Sequence, residues 1–93
     1  MNESRKLTDL VSVGKATEAD FKKLGITSVH QLVGRDARDL FEQLQQVTGQ
    51  RHDPCCEDVF RAAIAQAEDP NLPEEQRRWY YWSGVRKGEH RQR

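Results

Sequence analysis

The stretch "LTDLVSVGKATEADFKKLGI", Leu7 to Ile26, sets a lone glycine and a lysine between two short segments whose apolar residues recur at helical spacing. Leu7, Leu10 and Val11 mark a first helix after a cap at Ser4. Thr17 reads as the cap of a second helix, with Asp20 placed as in a capping box, Phe21 and Leu24 turned inward, and Gly25 closing it. Two helices joined this tightly form an αα-hairpin. A glycine in the turn supplies the positive φ such a reversal needs, so Gly14 is expected in the left-handed region, where Gly14→Val damages both fold and binding. The reversal leaves the first amides of the second helix unpaired at the positive end of its dipole, with the mobile charge of Lys15 beside them. Ser12, Val13, Gly14, Lys15, Ala16 and Thr17 are therefore the best anion seat in the chain, with Lys22 and Lys23 one to two turns further on.

The rest of the chain continues the helical pattern. Ser28 and Gln31 repeat the capping box for a turn carrying Val29 and Leu32, which Gly34 stops. Asp36 caps a longer helix with Ala37, Leu40, Phe41, Leu44 and Val47 on one stripe, closed at Gly49. Asp53 and Pro54 open another, with Cys56, Val59, Phe60, Ala63, Ile64 and Ala67 on one face. Pro70 and Pro73 break the chain before a last helix through "EEQRRWYYW". There Trp79 and Trp82, three apart, are expected to share the buried face, the rival reading being a stacking surface beside Arg77 and Arg78. No strand signal appears. The fold class is all-α, a compact bundle of five to six short helices.

Ninety-three residues bury one modest core, so residues 1–83 read as a single helical domain and 84–93, "GVRKGEHRQR", as a basic tail with too little apolar content to fold. The net charge of zero hides a segregation. Residues 1–35 carry six cationic against four acidic side chains, residues 36–75 three against ten, and residues 76–93 six against one. A polyanion would meet the two ends and avoid the middle.

No run of about 18 apolar residues could span a membrane and no apolar leader opens the chain, so a cytoplasmic protein is expected. His52, Asp53, Cys55 and Cys56 have metal-ligand chemistry, but adjacent cysteines do not fit the separated pairs of a zinc site, and no third group orients a catalytic thiol. Both thiols are expected to be reduced, metal-free and slow to react. No P-loop, carboxylate pair or Ser/His/Asp arrangement can be assembled, so neither an enzyme nor a cofactor is expected.

Leu10, Val13, Gly14, Phe21, Leu24, Gly25 and Ile26 resemble the helix-hairpin-helix motif, over residues 4–26, in which Ser12 stands where a first glycine is usual. With "GRD", "TGQ", "DPC", "DVFRAA" and "RRWYYW" following in order, nearly the whole chain resembles the small bacterial pathogenicity-locus family, sometimes labelled mitomycin-resistance proteins. The resemblance implies a compact helical fold and DNA binding, with no defined activity. Two functions follow: a non-sequence-specific module that binds double-stranded DNA weakly through the turn, or a protein-interaction adaptor with the same fold and no DNA contact. "LVGRDARDL", Leu32 to Leu40, reads either as a degenerate second hairpin or as an ordinary cap at Asp36.

Overall fold

The organising element is the helix over Cys55–Glu68, whose run of alanines lets neighbours approach it from several sides. A computed structural model describes residues 4–88, and all regular structure among them is helical. In chain order there is a 3₁₀ turn (Leu7–Asp9), α1 (Lys15–Lys23), a second 3₁₀ turn (Val29–Leu32), α2 (Ala37–Thr48), α3 (Cys55–Glu68), α4 (Glu74–Arg77) and α5 (Trp79–Arg86). α2, α4, α5 and the second 3₁₀ turn all pack on α3. None of these helices is long and apolar enough to cross a membrane.

The caps of α2 and α3 are those expected. The Asp36 carboxylate accepts the amides of Arg38 and Asp39 at 2.9 and 3.4 Å, and α2 closes at Gly49 with φ 67°. Asp53 accepts the Cys55 amide at 3.0 Å and so starts α3. Ser28 and Gln31 close the capping box of the second 3₁₀ turn. Ala37, Leu40, Phe41 and Leu44 are buried, and they meet Phe60, Ala63, Ile64 and Ala67 of α3 in one core. α1 joins it through Phe21, whose ring lies 4.9 Å from that of Phe60. Val47 was expected on the α2 stripe but is 60% exposed, because the last turn of α2 runs past the edge of the core.

Five further expectations change. The first helix is a single 3₁₀ turn without a Ser4 cap: the Asp9 carboxylate closes on the Lys6 amide at 2.8 Å, and Leu10 is extended. α1 begins at Lys15 with Gly14 as its N-cap, three residues earlier than a Thr17 cap would allow. The last helix is broken at Arg78, which is extended (φ −91°, ψ 140°). Beyond the break the Trp82 indole N–H donates to the Gln76 carbonyl at 2.7 Å. That bond holds Trp82 half-buried against the chain, while Trp79 is left 37% exposed, so the two indoles do not share a buried face.

Finally, residues 84–86, expected in the basic tail, form the last turn of α5. Ser83 and Gly84 are buried, and their small size allows α5 to lie close along α3. Arg86 then reaches Asp58, whose carboxylate is fully buried, with Nε on Oδ1 at 2.9 Å and Nη2 on Oδ2 at 3.0 Å. Lys87 and Gly88 close α5 in a turn, and the remaining tail residues, 89–93, lie outside the described residues.

Candidate nucleic-acid interface

The turn between Leu10 and Gly14 is held from behind by one side chain. Gln66, buried on the inner side of α3, accepts the Val11 amide at 2.9 Å and donates to the Val11 carbonyl at 3.0 Å. It also donates to the carbonyls of Ala62 and Arg77, and its own carbonyl takes the Arg5 guanidinium at 2.9 Å. A polar side chain in the middle of "AAIAQAE" was the sequence signal for this anchor, and it went unread because spacing alone does not say what a buried amide will grip.

The left-handed residue of the turn is Ser12, with φ 74°, and not Gly14. Gly14 is extended (φ −99°, ψ −170°), and a Cβ built there would meet nothing within 4 Å. The glycine is therefore not required by backbone conformation. Ser12 stands where the motif usually has glycine and takes a conformation that glycine adopts readily. Its hydroxyl oxygen accepts the main-chain N–H of Trp79 at 3.1 Å, so it caps the start of α5 from a distant part of the chain.

Of the eight residues expected to bind an anion, four come together at an open end. Among the described residues, no acceptor takes the amides of Gly14, Lys15, Ala16 and Thr17; the first backbone bond of α1 runs from Glu18 to the Gly14 carbonyl at 2.9 Å. Gly14, Lys15 and Ala16 are exposed, and the Lys15 ammonium has no ion-pair partner among the described residues. The other four are placed elsewhere. Val13 is buried and its amide donates to Leu10, while Ser12 faces α5. Lys22 and Lys23 are exposed in the last turn of α1, about 10 Å along the axis from Lys15, and Lys23 pairs with Asp20 at 3.7 Å.

α2 offers no second seat, because the Asp36 carboxylate already fills its N-terminus; "LVGRDARDL" is an ordinary cap. The acidic middle is also less bare than its count suggests. Glu57 is buried against Arg61 at 2.8 Å and Arg38 at 3.5 Å, Asp58 is neutralised by Arg86, and Glu68 accepts the Gly34 amide.

The cysteine cluster is assembled for structure. Cys55 and Cys56 are free, Asp53 is spent on its cap, and His52 Nε2 lies 2.9 Å from Thr48 Oγ1. No group of three metal-ligating side chains occurs among the described residues. Burial, then the hydrogen bond to Asp53, pushes the Cys55 thiol up to about 11, and burial raises that of Cys56.

The fold and this turn define a small protein, all-helical among the described residues, in which the N-terminus of α1 has no side-chain cap and carries Lys15. The chain belongs to the pathogenicity-locus family Cdd1, whose model matches residues 1–88. It is 38% identical over 86 residues to the mitomycin resistance protein McrB of Streptomyces lavendulae, an alignment covering 92% of this chain and 78% of that protein. No solved structure matches it.

Proposed function

We propose that this protein binds the DNA backbone without reading sequence, seating a phosphate on the amides of Gly14 to Thr17 beside Lys15. In this reading the turn and α1 work as a helix-hairpin-helix whose first arm has shrunk to a 3₁₀ turn. The protein acts by binding, without catalysis, in the cytoplasm. The observation that carries the proposal is the run of four amides, Gly14 to Thr17, that have no acceptor among the described residues, on a turn whose Gly14, Lys15 and Ala16 are exposed and whose Lys15 ammonium has no ion-pair partner there. Helix N-termini with this chemistry attract phosphate. Gln66 and Ser12 hold the turn fixed from within, so little ordering is left to be done on binding.

The expected affinity for duplex is micromolar or weaker, since so small a seat neutralises few phosphates. An amide NMR titration with a short duplex tests the proposal. Shifts concentrated at Gly14 to Thr17, lost at high salt and weakened by Lys15→Glu without loss of fold, are the expected result. Unchanged amide signals at low salt with excess duplex would sink it and leave the adaptor function, with a protein bound through another face.

A further inference from the structure

The exposed aromatic pair stands next to the phosphate seat. Phe21, Phe41 and Phe60 are in the core, and Tyr81 and Trp82 are half-buried, whereas Trp79 and Tyr80 are 37% and 59% exposed. Their rings meet edge to face, with centroids 6.0 Å apart and planes at 78°. That arrangement leaves both faces of one ring and one face of the other unused by the pair. Neither the Trp79 indole N–H nor the Tyr80 hydroxyl has a partner among the described residues.

What ties this pair to the turn is the bond from the Trp79 main chain to Ser12. Lys15 follows Ser12 by three positions, a span of at most about 10 Å. A strand whose phosphate occupied the Gly14 to Thr17 amides would thus bring its neighbouring nucleotide to the aromatic pair. Arg77 and Arg78 precede the rings, but Arg78 is paired with Glu74 at 2.7 Å and Arg77 Nε donates to the Leu72 carbonyl, so the cation nearest the turn without an ion-pair partner among the described residues is Lys15. Aromatic faces beside a cationic backbone track are the chemistry of single-strand binding, because every base has a face to stack. A blunt duplex offers no such face along its length.

Resting on the proposed phosphate seat, we infer that the preferred ligand is single-stranded DNA, one base stacking on Trp79 and Tyr80 while the adjacent phosphate sits on the turn. Fluorescence anisotropy with a short labelled strand and the blunt duplex of the same sequence tests it at low salt. Wild type is expected to bind the strand about fivefold or more tighter than the duplex. Trp79→Ala with Tyr80→Ala removes that preference and leaves duplex affinity unchanged. Trp79→Phe with Tyr80→Phe keeps it. The alanine changes retain the main-chain bond to Ser12, and thermal melts check that the fold survives.

Lys15→Glu is expected to weaken both ligands. Equal wild-type affinity for strand and duplex, or an equal loss for both in the double alanine variant, overturns the stacking inference while the phosphate seat stands. Binding of neither DNA overturns both. A strand preference that survives in the double alanine variant also overturns the inference.

Discussion

Ser12 and Gly14 exchange the roles their residue types suggest. A left-handed conformation costs a non-glycine residue about 1–2 kcal/mol, and at Ser12 the hydrogen bond from Trp79 offsets part of that. Ser12→Val combines a β-branched side chain at positive φ with loss of the bond, so we expect about 2–3 kcal/mol of destabilisation in a denaturant titration. Gly14→Val, by contrast, is expected to spare the fold, since its backbone is extended and the space around it is open. Gly14→Asp gives the sharper separation. A carboxylate at the N-cap can take the amides of Ala16 and Thr17, so the melting temperature should hold or rise slightly while DNA binding is lost. Retained binding by a well-folded Gly14→Asp protein would contradict the phosphate seat. The sequence signalled a chain reversal near Gly14 but extended it to Thr17, and a glycine in a turn does not reveal which neighbour carries the positive φ. At Cys55 the thiol is raised to about 11, so its neutral form favours the fold below about pH 9, a contribution lost as pH rises toward 11. Thiolate absorbance should accordingly be absent at pH 8; its presence there would refute the half-buried, neutral assignment.

At the level of elements, α2 and α3 were legible because local and tertiary signals agree in them. Asp36 and Asp53 cap them, and the buried residues follow the helical period through Leu44 and Ala67. The C-terminal elements were not. "EEQRRWYYW" contains no breaker, and the kink at Arg78 goes with a local side-chain bond across it, Trp82 on Gln76, and with two long-range contacts, Trp79 on Ser12 and Arg86 on Asp58. Local propensity says nothing about any of these. The Asp58–Arg86 pair joins α3 to α5 across 28 residues, and among the described residues the buried carboxylate has no other cation so placed. Arg86→Ala should cost about 3 kcal/mol, the lower end for a broken buried pair because Arg86 is itself part-exposed. Replacing both residues, Asp58→Leu with Arg86→Met, should recover much of that loss. A thermal melt of Arg86→Ala that matches wild type would show that α5 is held by packing alone.

Over the whole molecule, charge that looked segregated along the chain is partly folded back on itself. Residues 36–75 carry the acidic excess, yet Glu57 and Asp58 are paired inside the protein and Asp36 and Asp53 are turned to helix ends. The acids therefore repel a bound polyanion less than their count implies. The cations are also less concerted than spacing suggested, since Lys22 and Lys23 lie at the far end of α1 from Lys15. A strand crossing the turn meets the Lys15 seat, and a duplex laid along α1 meets one further phosphate near Lys22. For about two neutralised phosphates, the logarithm of duplex affinity should fall against the logarithm of salt concentration with a slope near −2. Lys15→Glu should bring the slope closer to −1, and Lys22→Glu should do the same from the other end of the helix. For a single strand the slope should be shallower, about −0.7 per phosphate, while affinity is higher, because stacking on Trp79 and Tyr80 adds a contribution that releases no counterions. A strand bound both more tightly and with less salt dependence than the duplex is the signature that separates aromatic stacking from a merely more basic surface, which would raise affinity and slope together.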